Sequence, residues 1–390
     1  MRLLILDQFS DMGGAQRCLA DLMPALLDAG WDIQVLLPGP GPLVDALTEQ
    51  QVPVRFLRCG PYSAGRKTMR DIVRFVGDYR AMIPTISDAV RSHNADLVYV
   101  NGPRLLPAAA RACGRTPILF HSHSYLDTRY LVSIIGRELR RTRAGVIASS
   151  RFVATPWMRY ATPRRVTVIY NGVPEISFRP KPAPEDRPWR IGVIGRIASE
   201  KGQLEFVRAA QQLTRTGLHA EYFIHGAPLW SAPDYLTAVR SAAAGLNIHF
   251  AGWSSSIGSV LHDLDLLVAP SPAAESTTRV VLEAFSAGTP VIAFASGGIP
   301  EVVQHRRNGF LAPVATSGAL AETVRSVLMN PDALPRITAC ARLDWEERYQ
   351  VTRYCSEVMD SMEAEVRRIN RGNDKAASKT AAAAVPSTGP

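Results

Sequence analysis

At 390 residues the chain is too long for one hydrophobic core and implies two domains. Its apolar share of 46% and charged share of 20% exclude a disordered or fibrous chain and fit a soluble globular protein. The net charge of +9 sits wholly in residues 1–180, which hold 23 Lys and Arg against 14 Asp and Glu, while residues 181–390 hold 21 of each. That asymmetry suits an anionic partner, although a compositional bias toward Arg gives the same excess without one.

The chain opens on a buried-strand pattern, Leu3-Leu4-Ile5-Leu6, then a loop from Asp7 to Gly13. Leu19, Leu22, Met23, Leu26 and Leu27 recur at helical spacing over residues 14–29, and Gly30 supplies a helix stop. Strand patterns follow at 33–37, 52–57, 97–100, 118–120, 145–148 and 166–169, with helical stretches between several of them. Strands alternating with helices predict a parallel sheet covered on both faces. Pro180 to Pro188 reads as a Pro-rich linker, after which the pattern restarts. Strands are expected at 190–194, 220–224, 248–250, 266–269 and 291–294, with helices at 203–213 and 280–287. The domains so drawn are 1–180 and 181–345, followed by a helix to 370 and a disordered tail, 371–390, rich in Ala, Ser, Thr, Gly and Pro.

Cys18, Cys59, Cys113, Cys340 and Cys355 are odd in number and scattered, which reads as reduced thiols without a structural zinc site. The first ten residues lack the apolar length of an export signal, and no run of 18 apolar residues occurs. Together these predict a cytoplasmic protein.

Three segments carry candidate chemistry. Gly13 and Gly14 stand between the first strand and first helix, where the backbone can approach a ligand and helix amides face an anion. A tight turn needs such glycines anyway, and the pattern is not a dinucleotide fingerprint. In Gly195-Arg196-Ile197-Ala198-Ser199-Glu200-Lys201-Gly202, two cations five residues apart suit a diphosphate, with Glu200 read as a surface partner of Lys201. Glu275 and Glu283 flank seven residues that include Thr278, Arg279 and Val280; the spacing can aim both carboxylates at one cleft, where they suit sugar and ribose hydroxyls, but from the residues alone two unrelated surface glutamates are the favoured reading. Asp263-Leu264-Asp265 has metal-ligand spacing, but the apolar run after it reads as entry into a strand.

Glu275-(seven residues)-Glu283-Ala284-Phe285-Ser286-Ala287-Gly288-Thr289-Pro290-Val291-Ile292-Ala293, then Gly297-Gly298-Ile299-Pro300-Glu301, resembles the signature of retaining GT-B glycosyltransferases of family 4. Gly195-Arg196…Glu200-Lys201-Gly202, Asn171-Gly172-Val173 and Gly13-Gly14-Ala15-Gln16 match further parts of that family's pattern, over roughly residues 1–345. The resemblance implies two Rossmann-like α/β domains facing a central cleft, an acceptor domain first and a nucleotide-sugar domain second. It implies that Arg196 and Lys201 neutralise the leaving diphosphate in place of a metal ion, with no other cofactor. Glu283 would hold the ribose, Glu275 the transferred sugar, and Gly14 the diphosphate from across the cleft. Asn171 would lie on the hinge side and Trp253 near the base. His123, or its neighbour His121, would face the donor sugar. Thr277-Thr278 replace the family's frequent Phe-Gly, which puts the donor preference in question.

The expected partners are a nucleotide-sugar donor and a glycan or lipid-linked acceptor, in cell-surface polysaccharide synthesis, with no nucleic acid. The alternatives are a non-catalytic nucleotide-sugar-binding protein and a nucleotide-sugar epimerase. The basic runs 66–70 and 137–143 suggest docking on an anionic membrane, with Ile72, Val73, Val76, Tyr79, Ile83 and Ile86 as the apolar face of an interfacial helix or, equally, a face turned to the core.

Overall fold

The computed structural model describes the backbone of residues 1–60, 69–229, 233–273 and 275–383, and their side chains except those of 69–75, 233 and 369–383. The first sheet comprises β1 (Arg2–Asp7), β2 (Asp32–Leu37), β3 (Val54–Phe56), β4 (Leu97–Asn101), β5 (Ile118–Ser122), β6 (Gly145–Ala148) and β7 (Val166–Val168). All pairs are parallel, in the order β3-β2-β1-β4-β5-β6-β7. The second sheet comprises β8 (Trp189–Ile194), β9 (Ala220–His225), β10 (Ile248–Gly252), β11 (Leu266–Ala269), β12 (Val291–Phe294) and β13 (Phe310–Ala312), again all parallel, in the order β10-β9-β8-β11-β12-β13. The near-continuous apolar runs in β1, β4 and β5 follow from burial on both faces of a helix-covered sheet. Each sheet reverses its winding beside its first strand, at β1/β4 and at β8/β11. Open α/β sheets collect ligands outside the carboxyl ends of strands at such points.

The strand β13 was absent from the sequence reading, because a three-residue edge strand carries no periodicity. The last helix, Val351–Ala383, runs thirteen residues past the expected stop at 370. The Ala-rich stretch that composition assigns to disorder is also the strongest intrinsic helix former. This helix belongs to the first domain in space: Tyr354, Cys355, Val358 and Met362 are buried in the core beneath the Gly14–Asp28 helix. The Glu365 carboxylate accepts the Gly145 amide at 3.2 Å. The chain therefore crosses between domains twice, at 171–188 and again near the parallel bridge of Val173 with Gln350.

In the helix Met69–Ser92, Ile86 is fully buried and Tyr79 and Ile83 pack on the first domain's core, so these three side chains serve the fold. Val76 stays exposed. Ile72, Val73 and the basic run 66–70 lie outside the described side chains. Among the described residues no helix is long and apolar enough to cross a membrane.

Candidate active site

Loops after β1, β4, β5, β8, β9, β10 and β11 open into one interdomain cleft of about 500 Å³. Every site residue read from the sequence lines it: Gly13, Gly14, His123, Asn171, Gly195, Arg196, Lys201, Trp253, Glu275, Thr278, Arg279, Val280 and Glu283.

The wall from the second domain is charged, and its charges are paired. Lys201 Nζ sits 2.6 Å from Glu275 Oε2, and Arg196 reaches Glu200 at 2.8 Å and the Leu229 carbonyl at 3.0 Å. This corrects the sequence reading of Glu200 as the partner of Lys201. Arg196 and Glu200 are four apart on one turn, whereas Lys201 reaches across the loop to a carboxylate 74 residues on. Glycines make that reach possible. Gly202 has φ +74, and a Cβ there would lie 1.8 Å from the Pro270 carbonyl oxygen. Gly297 has φ +56 and would clash with the Glu275 backbone at 2.1 Å. The Gly297-Gly298 turn thus buttresses the Glu275 loop, with the Gly298 amide on the Glu275 carbonyl at 2.8 Å.

The helix Arg279–Ala287 points its first turn at the cleft, where Thr278, Arg279 and Val280 line the wall and no side chain caps the helix start. Arg279 reaches into the first domain, to Asp21 at 2.9 Å, the Gly172 carbonyl at 3.2 Å and Cys18 Sγ at 3.3 Å, and lies 3.6 Å from Glu283. Burial works against its charge, but Cys18, Asp21 and Glu283 outweigh that and hold the guanidinium above its usual range. Burial also raises Glu283, against the pull of Arg279 and Arg17. The replaced Thr277 is buried and donates to the Ser149 carbonyl at 3.4 Å, next to a Ser149–Ser276 hydroxyl pair at 2.6 Å. Where Phe is frequent, this chain uses a polar stitch between domains. Asn171 joins it, its amide donating to the Thr277 carbonyl at 3.4 Å.

The wall from the first domain is mostly neutral. His121 is fully buried within β5, its Nδ1 bonded to the Tyr99 hydroxyl, while His123 lies one residue past the strand end and lines the cleft. Strand alternation gave both rings the same side, and depth along the strand separates them. The rings stack at 3.7 Å. Burial, helped by the Arg279 cation, pushes His123 down to about 3, and burial holds His121 well below the usual range. His123 Nε2 lies 2.6 Å from Asn101 Oδ1, Asn101 Nδ2 donates to Asp7 Oδ2 at 2.5 Å, and Asp7 Oδ1 accepts from Gln16 and the Phe9 amide, each at 2.9 Å. Sequence reasoning missed Asp7 and Asn101, whose signal was a polar residue closing an otherwise apolar strand. It also missed Arg17, whose guanidinium lies 5.5 Å from the Trp253 ring across the cleft. Asp265, at the proposed metal spacing, is buried and held by both arms of Arg187 at 2.6 and 2.7 Å, as the strand-entry reading expects.

Comparison with known proteins fits this geometry. Residues 12–175 match the Glycosyltransferase Family 4 domain and residues 188–330 match Glycosyl transferases group 1. A 2-deoxystreptamine glucosyltransferase of Streptomyces kanamyceticus is 30% identical over 52% of this chain and 55% of its own. A GDP-mannose-dependent phosphatidylinositol monomannoside mannosyltransferase of Mycobacterium tuberculosis is 26% identical over 62% of this chain and 68% of its own. The first of these relatives is thus spanned over about half its length. Anabaena Alr3699/HepE, solved with UDP-glucose, superposes with a TM-score of 0.80 at 23% identity, covering 93% of this chain and all of its own. The two matched domains, the two parallel sheets and the cleft between them show that the chain belongs to the GT-B glycosyltransferases of family 4.

Proposed function

We propose that the protein transfers a hexose, with retention of anomeric configuration and without a metal ion, from a nucleotide-sugar donor to a glycan or lipid-linked acceptor in cell-surface polysaccharide synthesis. The observation that carries this reading is the Lys201–Glu275 pair beside Arg196 on the cleft wall. Separate loops deliver two cations and a carboxylate to one cleft. When a donor binds, its diphosphate competes for Lys201 and Arg196, and Glu275 is released toward a sugar hydroxyl. As the leaving group gathers charge, the cations bind it more tightly than they bound the ground state, which is what lowers a barrier. Glu283, near the cleft floor, is suited to the ribose, and Trp253 to the base. That the Anabaena neighbour was solved with UDP-glucose supports a donor of this class.

The lipid-linked acceptor has support on the helix Arg129–Thr142. Tyr130 and Ile134 are exposed there, at 65% and 45%, and Arg137 and Arg141 continue the same stripe. An apolar pair flanked by basic residues is the pattern of reversible contact with anionic lipid. Buried thiols at Cys18, Cys113 and Cys355 support work on the cytoplasmic side.

The test is release of free nucleotide from a panel of nucleotide sugars, with the anomer of the product read by NMR. Turnover is expected to persist in excess EDTA. Dependence on added Mg²⁺ or Mn²⁺ would overturn the metal-free mechanism, and binding without turnover of any donor would leave a sugar-nucleotide-binding protein. Co-sedimentation with phosphatidylglycerol vesicles at low salt, but not with neutral vesicles, is the outcome expected for the membrane surface.

A further inference from the structure

We infer that Asp7 and Asn101 are positioning residues that fix the single proton of His123 on Nε2 and leave its Nδ1 as a bare acceptor for a hydroxyl of the transferred sugar. The inference rests on the reading above that the donor sugar meets His123, and it adds how the ring is set.

The argument follows donors and acceptors in order. An ionised carboxylate only accepts, so Asp7 Oδ2 must face the amide nitrogen of Asn101, at 2.5 Å. That fixes the Asn101 flip and turns its carbonyl oxygen toward His123 Nε2, at 2.6 Å. A carbonyl also only accepts, so Nε2 must carry the hydrogen. Burial keeps the imidazole neutral, which leaves Nδ1 with a lone pair and no hydrogen. Among the described residues that Nδ1 is buried without a hydrogen-bond partner, while the ring lines the cleft. An orphaned buried acceptor costs stability and gives the fold nothing, so an unpartnered Nδ1 on a ring that lines the cleft points to a ligand, which reaches it once the closed shell around Nδ1 opens on binding. The far end of the chain is equally fixed. Asp7 Oδ1 is saturated by Gln16 and the Phe9 amide, so the carboxylate cannot turn to release Asn101.

The order can be reversed without changing shape. In Asp7→Asn, the new amide presents its nitrogen to residue 101, and Asn101 flips to offer its own nitrogen to His123. The histidine proton must then move to Nδ1 and close the acceptor. Adding Asn101→Asp restores an acceptor beside Nε2 and returns the proton there.

Nitrogen-15 NMR of the free protein at pH 8, with the His123 signal assigned by its loss in His123→Ala, reads the tautomer independently of any turnover. We expect Nε2–H in the wild type, Nδ1–H in Asp7→Asn and Nε2–H again in the double variant. With UDP-glucose as the probe donor, Asp7→Asn should lose roughly ten-fold in kcat, the scale of one buried hydrogen bond turned to a mismatch. UDP affinity should hold, the melting temperature should be no lower than that of the wild type, and the double variant should recover part of kcat. An unmoved tautomer in Asp7→Asn overturns the relay. A moved tautomer with wild-type kcat overturns its role in the reaction. Wild-type turnover in His123→Ala removes the reading of His123 on which the role rests.

Discussion

The two walls of the cleft solve opposite problems. The second domain must carry charge into a partly buried site, and it does so by pairing: Lys201 with Glu275, Arg196 with Glu200, Arg279 with Asp21. The first domain lines the cleft with His123, which burial keeps neutral like His121 beneath it; Asp7 is buried at the far end of the same hydrogen-bonded chain, and Arg17 stands apart beside Trp253. A paired cation can exchange its carboxylate for a phosphate, so the charged wall suits the leaving group. A neutral ring with a fixed tautomer gains nothing from a phosphate and suits a hydroxyl. On the function proposed above, the nucleotide would lie against the charged wall and the sugar between the two.

The sharpest break in that comparison is loss of a cation. Lys201→Ala or Arg196→Ala should raise the barrier by about 2–4 kcal/mol, because the lost contact strengthens as the diphosphate departs. Melting temperature should stay near that of the wild type, since each cation is partly exposed and stands at the cleft rather than in either core. Turnover of both variants against UDP-glucose decides it, and wild-type rates in both would end the assignment of the charged wall.

The neutral wall has its own signature in pH. Burial lifts Asp7 to about 6, against hydrogen bonds from Asn101, the Phe9 amide and Gln16 that favour its charge. Its unfolded value is about 3.8. Between the two, the folded state holds a proton that the unfolded chain has released. Stability from this group is therefore complete below about 3.8 and lost as pH rises through about 6, by at most about 3 kcal/mol. Asp7→Asn removes that loss. Its melting temperature relative to the wild type should climb from pH 4 to pH 7, the depressed histidines cancelling in the difference. A flat difference across that range would mean Asp7 is solvated in a way the packing denies.

On the charged wall, Glu275 lies 2.6 Å from Lys201, in the contact that a bound donor is proposed to displace. Glu275→Gln should separate binding from chemistry. The unpaired lysine should bind UDP a few-fold more tightly, while kcat falls by roughly ten-fold as a charged acceptor for a sugar hydroxyl becomes a neutral one. Calorimetry with UDP and initial rates with UDP-glucose measure the two sides, and weaker UDP binding would contradict the exchange.

The two walls also differed in how legible they were. Arg196 and Lys201 stood out as cations on a Gly-bounded loop, whereas Glu275, on a loop, and Glu283, on a helix, stood out only because their spacing matched a family pattern. The parallel strands were plain from their apolar runs, and β6, β11 and β12 ended where the sequence put them. Asp7 and Asn101 were hidden because their meaning lies in a contact across 94 residues, which no local pattern encodes. The pairing of Lys201 with Glu275 was hidden for the same reason, and the nearer Glu200 was the wrong guess. The last helix was misjudged because composition alone does not separate an Ala-rich helix from a solvated tail.

The smallest expected effect concerns the departure at Thr277-Thr278. Thr277 is part of the fold, its side chain buried and bonded to Ser149 on the other domain. Thr278 holds the N-cap position of the helix Arg279–Ala287 with φ −71 and ψ 126, yet makes no side-chain capping bond. Its backbone angles are ordinary for any residue, so glycine is not required there. An N-cap glycine costs only a few tenths of a kcal/mol relative to a working cap, and here no such bond is lost. Thr278→Gly should therefore change stability by about 0.5 kcal/mol or less and turnover by no more than about three-fold. The first turn that lines the cleft comes from the helix itself, and the same helix forms with either residue. A large gain in turnover on restoring glycine would show instead that the Thr278 side chain blocks the donor, and that the charged wall of this chain is not yet in its working shape.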